Sequence, residues 1–174
     1  MKELFSWIRD IILAVAIASL LLIFLKPIII QQESMQPTFY SGDYVITSRQ
    51  AYRIFGEPQR GDVIVFKTDM YDDKGKAKNL IKRIVGLPGD TVEIIDGYVY
   101  LNGELLEEDY IAEQGISGEM EAVVVSEGEL FAMGDNRGVS LDSRNPEVGT
   151  IDEKTIVGKV VVRLYPFSQF KFFK

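Results

Sequence analysis

The chain has 174 residues, 47% of them hydrophobic, and its 19 Lys and Arg against 26 Asp and Glu leave a net charge of −7. That composition suits one packed domain with an attached segment and argues against wholesale disorder, and an acidic chain without a basic block makes a poor nucleic-acid binder, because that affinity rests on phosphate neutralisation. Cys and His are both absent, which removes disulfides, thiolate nucleophiles, Cys- or His-ligated metals and any Ser-His-Asp triad, and leaves Lys, carboxylates and Tyr for acid–base chemistry.

Residues 11–25 (IILAVAIASLLLIFL) contain no charge and one polar residue, Ser19. Leu4, Phe5, Trp7 and Ile8 extend this run backwards past Arg9 and Asp10. A bilayer core needs about 20 apolar residues, a terminal Arg can snorkel to the interface, and Trp is an interfacial type. A transmembrane anchor is therefore expected within residues 1–27, followed by a β domain over residues 28–174. A cleaved signal peptide requires a small-x-small site after the apolar run, whereas this run ends in Leu25-Lys26-Pro27. A buried soluble helix is the other alternative. Lys2, Arg9 and the amino terminus favour an inside N-terminus, offset in part by Glu3, Asp10 and Lys26. The β domain is then extracytoplasmic, on a single-pass protein of the plasma membrane.

After Lys26 the helical period is lost. Short β-rich runs occur at residues 44–47, 63–66, 80–85, 123–125, 130–133 and 156–164. Asp96-Gly97 and Asn102-Gly103 separate runs 91–95, 98–101 and 104–106, and such dipeptides favour two-residue hairpin turns in which both positions need φ > 0. Residues 69–78 and 107–121 are polar or acidic and read as solvated loops. The expected fold is mainly β: an antiparallel sandwich or partly open barrel carrying one N-terminal transmembrane helix. The aromatic cluster of Tyr165, Phe167, Phe170, Phe172 and Phe173 at the C-terminus reads either as a core-packing tail or as an interfacial patch.

Three islands break the strand pattern. Ser34 stands nine positions after Leu25, near the expected membrane surface, in Glu33-Ser34-Met35-Gln36-Pro37-Thr38. Taken alone, it is a turn serine before a proline. Lys82 lies in a strand between Leu80, Ile81, Ile84 and Val85, and period-2 alternation puts it on one face with Leu80 and Ile84. An amine on an apolar face is costly unless it is paired or neutral, although a strand Lys often only guards an edge. Residues 134–144 (GDNRGVSLDSR) follow an apolar strand and carry two opposite-charge pairs. They read as a surface loop, or as a functional loop on a rigid base.

Together the islands form one chemistry. A serine nucleophile needs a base, and without His the strongest candidate is a Lys desolvated until its amine is neutral near pH 7. A hydroxyl such as that of Ser140 can hold that amine in place. A carboxylate is the rival base, with Asp62, Asp90, Asp135 and Asp142 available.

These boxes carry a specific resemblance. The order anchor, S-M-x-P-T (residues 34–38), G-D-V-x-V-F (61–66), K-R-I-V-G-L-P-G-D (82–90) and G-D-N-R-x-x-S-x-D-S-R (134–144) resembles bacterial type I signal peptidases. The family's endoplasmic-reticulum relatives carry His at the Lys82 position, so Lys82 looks bacterial. The single anchor and the short segment between Phe66 and Leu80 look like the compact Gram-positive form.

The resemblance implies Ser34 as nucleophile, Lys82 as general base, Ser140 as the group orienting the Lys82 amine, and an Asp142–Arg144 ion pair in support. It implies the Ser34 N–H as one oxyanion donor. Some family members carry a Ser two residues before the nucleophile as the second donor; this chain has Gln32, whose side-chain amide can donate. Ile30, Met35 and Ile81 match positions lining shallow apolar pockets for small side chains. The implied activity is serine endopeptidase cleavage of signal-peptide-bearing preproteins emerging from the secretion channel, beside membrane lipid, without metal or cofactor.

Two other readings compete. A repressor-type Ser–Lys self-cleaving protease shares the dyad but needs a DNA-reading domain where this chain has an apolar segment. In a non-catalytic anchored β module the boxes are structural turns, a reading that an intact Ser34, Lys82 and Ser140 set disfavours.

Overall fold

A computed structural model describes residues 2–54, 56–71, 73–75 and 77–173; the side chains of residues 2, 4, 17, 18, 20–23, 53 and 54 are outside the description. Helix α1 (Lys2–Phe24) opens the chain. Arg9 and Asp10, the two charges inside its apolar run, pair with each other at 2.9 Å. Phe5, Trp7, Ile11, Ile12, Leu13 and Val15 are all more than half exposed. Among the described residues no helix is long and apolar enough to cross a membrane. The side chains of residues 17, 18 and 20–23, much of the expected anchor, lie outside that description.

The rest of the chain is mainly β, in two antiparallel sheets. Strand β1 (Leu25–Ile29) follows α1 directly, so the first sheet starts before the expected boundary at residue 27/28. The other strands, numbered along the chain, are β2 (Tyr44–Ser48), β3 (Val63–Tyr71), β4 (Ala77–Gly86), β5 (Thr91–Ile95), β6 (Tyr98–Leu101), β7 (Glu104–Leu105), β8 (Met120–Val124), β9 (Glu129–Met133), β10 (Ile151–Asp152), β11 (Ile156–Tyr165) and β12 (Lys171–Phe172). The larger sheet has the order β1-β2-β11-β3-β4-β9-β10, with β12 also on β11; the smaller is β7-β6-β5-β8.

The smaller sheet is the meander expected from its turns. Asp96 and Asn102 both take positive φ, 51° and 54°, as two-residue hairpin turns require. One apolar cluster joins the sheets: Val92, Ile94 and Val99 of the meander pack with Val85, Phe131 and Met133 of β4 and β9. A second cluster, with Ile64, Phe66, Leu80 and Ile84, fills one side of β3 and β4. A third, with Ile30, Met35, Phe39 and Val63, lies under the segment that carries Ser34.

The first expected loop is shorter than the sequence implies, and the second is irregular over residues 107–119, as expected, before β8 begins at Met120. Residues 69–71 and 77–78 are strand: β3 and β4 pair through Lys67↔Asn79 and Tyr71↔Ala77 across a register shift. Most side chains of that hairpin extension are exposed, and its half-buried face carries one apolar residue of β3, Met70, beside Thr68, so the sequence has too little apolar alternation to read. Residues 107–121 are acidic but not wholly solvated, because Glu108 and Ser117 are buried.

The C-terminal aromatics divide. Phe173 is half-buried and stacks on Phe39 with ring centroids 4.9 Å apart. Tyr165, Phe167, Phe170 and Phe172 are half-exposed or more, at 50%, 82%, 50% and 71%. Packing into the core therefore accounts for Phe173 alone among these rings.

Candidate active site

Ser34 begins a tight turn that continues to Thr38. The turn is closed by the Phe39 N–H donating to the Met35 carbonyl at 2.8 Å. Met35 and Phe39 are fully buried, and burial of such side chains stabilises by roughly 1.5–3 kcal/mol each. These two anchors fix the turn on the sheet and leave Ser34 at the surface of the core, 6% exposed.

Lys82 approaches from the middle of β4, opposite Ile64 of β3. It is on the same face as Leu80 and Ile84, as alternation requires, and is 1% exposed. Its Nζ lies 2.7 Å from Ser34 Oγ and also donates to the Ile81 carbonyl at 2.9 Å. Burial lowers the Lys82 amine from its ordinary value of 10.5 to about 8; Asp142 and Asp135 oppose that shift and Arg144 reinforces it. Arg83, next to Lys82 in the chain, points to the other face, where Asp135 holds it with two bonds of 2.9 and 2.6 Å.

The loop after β9 closes the site. Gly134 is wedged between the two serines: a Cβ there would lie 2.2 Å from Ser140 Oγ and 2.4 Å from the Ser34 carbonyl oxygen. The Gly134 N–H donates to Asp142 Oδ2 at 2.9 Å. The Asn136 N–H donates to the Ser34 carbonyl at 3.0 Å, and its side-chain amide to the Glu33 carbonyl at 3.2 Å. Asp142 and Arg144 form a two-bond pair at 2.8 and 2.9 Å. Although burial pushes the Asp142 carboxyl up, the Arg144 hydrogen bonds and charge outweigh it and hold the group below the usual carboxylate range. Ser140 Oγ is buried and, among the described residues, has no hydrogen-bond partner. It lies close enough to Asp142 to favour the ionised carboxylate without reaching hydrogen-bond geometry.

A cleft of about 350 Å³ opens over Ser34 and Lys82, lined by Gln32, Glu33, Met70, Lys78, Leu80, Val139 and Leu141. Gln32 is exposed at its rim. Ile30, Met35 and Ile81 do not line it. They belong to the apolar cluster beneath the turn, with Ile30 and Met35 fully buried. Val139 and Leu141 are the apolar members of the last sequence box, and Leu80 is read with Lys82 by alternation. Met70 falls in the polar stretch 69–78, where no sequence signal marks it.

The four rival carboxylates are all neutralised. Asp62 pairs with Lys159 at 2.7 Å, Asp90 with Arg60 at 2.8 Å, Asp135 with Arg83 at 2.6 Å and Asp142 with Arg144 at 2.8 Å. Each is engaged by its cation, and none hydrogen-bonds the Ser34 hydroxyl, which contacts Lys82 Nζ instead. A serine hydroxyl in contact with a buried amine of lowered pKa is an arrangement suited to acyl transfer.

Comparison with known proteins gives the family of the chain. The chain belongs to the family described as Signal peptidase, peptidase S26, which matches residues 4–165, and is a serine endopeptidase. More narrowly, it is of the bacterial signal peptidase I kind. It is 36% identical over 180 residues to signal peptidase I of Bacillus licheniformis, covering 98% of this chain and 93% of that protein. Signal peptidase IB of Staphylococcus aureus (strain MRSA252) is 36% identical over 189 residues, covering 98% of this chain and 94% of that one. A crystal structure of a signal peptidase I from Enterococcus faecalis V583 aligns with a TM-score of 0.47 at 31% identity, over 59% of this chain and 96% of that chain.

Proposed function

We propose that this protein removes N-terminal signal peptides from exported preproteins, with Ser34 as nucleophile and Lys82 as general base. The observation that carries the reading is the 2.7 Å contact between Lys82 Nζ and Ser34 Oγ, made by an amine lowered to about 8. In its neutral form Lys82 donates to the Ile81 carbonyl and turns its lone pair to the Ser34 hydroxyl. Lys82 takes the hydroxyl proton as Ser34 Oγ attacks the scissile carbonyl. The resulting ammonium then protonates the leaving amine as the peptide bond breaks. Lys82, neutral again, takes a proton from water as the water oxygen attacks the acyl carbonyl, and the ammonium gives that proton to the departing Ser34 Oγ, which restores both groups.

The oxyanion is held by the Ser34 N–H, which has no other partner among the described residues, and by the exposed Gln32 amide. The Ser140 hydroxyl, buried and unpartnered, orients the Lys82 amine as the substrate enters. Asp142 and Arg144 brace the loop that presents it. Because Ile30 and Met35 fill the space below Ser34, the pockets on this floor are shallow. They suit small side chains at the first and third positions before the cut.

The cytoplasmic stub and membrane anchor lie within α1, ahead of β1, and the β domain that starts at Leu25 stands on the extracytoplasmic side. The exposed apolar side chains of α1 and the mutual neutralisation of Arg9 and Asp10 support that placement. Exposed Tyr165, Phe167, Phe170 and Phe172 extend the lipid-facing surface. The substrate is an extended peptide just outside the bilayer, emerging from the secretion channel with its signal helix still in lipid. Incubating the full chain, reconstituted in liposomes, with a model preprotein tests this: wild type releases the mature protein and Ser34→Ala does not. Equal release by both would overturn the assignment.

A further inference from the structure

We propose that Glu108 is a positioning residue for this catalytic centre, acting through Arg137 on the Gly134 peptide against which Ser34 rests. The proposal builds on the Ser34–Lys82 reading above. Glu108 lies in the acidic segment between β7 and β8. Its neighbours Glu107, Asp109, Glu113 and Glu119 are exposed, whereas Glu108 is 5% exposed. An isolated buried carboxylate is costly, so a buried one marks a specific partner. That partner is Arg137, itself 3% exposed. Both guanidinium ends meet the carboxylate: Nη1 donates to Oε2 at 2.7 Å and Nη2 contacts Oε1.

The fork fixes the remaining Arg137 donor. Its Nε donates to the Gly134 carbonyl at 3.0 Å, while the Gly134 N–H is held by Asp142. Gly134 is thus gripped through both of its backbone polar groups. Its Cα faces the Ser34 carbonyl too closely to admit a methyl group. Any relaxation at Arg137 is therefore passed to the nucleophile's own backbone. Other contacts from the same segment act in concert. Tyr110 donates to Glu108 at 2.6 Å and lays its ring 4.2 Å from the Arg83 guanidinium carbon. The Ser117 hydroxyl accepts from Arg137 at 3.0 Å, and its carbonyl accepts from Arg144 at 2.9 Å. One segment outside the catalytic loops therefore clamps three arginines of the site.

Buried ion pairs are weak evidence for stability, and one with only a structural role changes melting without changing turnover by folded enzyme. A positioning role predicts a different pattern, since a displacement of about 1 Å from reactive geometry costs about 10²-fold in rate. The experiment uses the full chain in detergent, with folded active sites counted by a serine-acylating probe well below each variant's melting temperature. We expect Glu108→Ala to lower kcat per titrated site by about 10²-fold with KM within about twofold of wild type. Glu108→Gln, which keeps one acceptor for Arg137, should recover about tenfold of that loss. Wild-type kcat per site in Glu108→Ala, or a change confined to KM or to melting, would overturn the proposal. If Glu108→Ala does not fold, Glu108→Gln decides by the same kcat criterion. Ser34→Ala is run alongside: its inactivity with unchanged Glu108 variants would overturn only the Glu108 role, whereas its full activity would overturn both readings.

Discussion

The Cα of Gly134 faces the Ser34 carbonyl oxygen so closely that a Cβ would lie 2.4 Å from it and 2.6 Å from Ser140 Cβ. Neither neighbour is the free end of a flexible side chain, so a methyl group there must displace the nucleophile's backbone or the Ser140 side chain. Overpacking of this kind costs about 1–3 kcal/mol. Gly134→Ala should fold with a lower melting temperature and lose about 10²-fold in cleavage rate. Near-wild-type cleavage would mean that the loop absorbs the methyl group without moving Ser34.

Cleavage should rise with pH through about 8, because only neutral Lys82 can take the Ser34 proton. Burial is the main cause of the lowered value and Arg144 adds to it, against the opposing pull of Asp142 and Asp135. Values of kcat/KM should climb about tenfold per pH unit below the midpoint and level off above it. A midpoint near 10.5, the ordinary Lys value, would show that the amine is not desolvated.

The same amine carries a stability signature. Its pKa is lower in the folded state, so between about 8 and 10.5 the unfolded chain binds more protons than the native one, and stability rises with pH across that window. Below pH 8 the native protein holds a buried ammonium at a cost of about 3 kcal/mol. Lys82→Met removes that cost, offset in part by the lost contacts to Ser34 and Ile81. Denaturant melts should show Lys82→Met gaining on wild type most at pH 6–7 and least near pH 10. A difference that stays constant across this range would contradict the shift.

The meander was legible because Asp-Gly and Asn-Gly state their turns locally. Lys82 was legible because alternation with Leu80 and Ile84 placed a charge on an apolar face, and the four ordered boxes carried Ser34, Ser140, Asp142 and Arg144. The β3–β4 extension was not, since the half-buried face of its β3 part carries one apolar residue, Met70, too little for a hydrophobic period. Glu108 was hidden for a similar reason. Its burial depends on Arg137, 29 residues away in sequence, and nothing in its acidic neighbourhood distinguishes it from Glu107 or Asp109. Ile30, Met35 and Ile81 show the reverse limit: position near the nucleophile does not reveal whether an apolar side chain faces the cleft or the core beneath it.

Asp142 should behave as a brace. It is fully buried, accepts two bonds from Arg144 and takes the Gly134 N–H. Asp142→Ala leaves those donors unpaired, at a cost of ~1–3 kcal/mol, and should reduce cleavage without abolishing it. Asp142→Asn keeps an acceptor and should be milder. Complete and equal loss in both variants, at an unchanged melting temperature, would move the base from Lys82 to Asp142.

The most direct test of the dyad compares cleavage of one model preprotein, near pH 9, by wild type, Ser34→Ala and Lys82→Met, with melts to confirm folding. The chain has no His, Asp62, Asp90, Asp135 and Asp142 are each paired with a cation, and among the described residues only Lys82 contacts the Ser34 hydroxyl. Both variants should therefore fall to the rate of the uncatalysed control while remaining folded. Cleavage by Lys82→Met within about tenfold of wild type, at full dependence on Ser34, would contradict the assignment of Lys82 as the base.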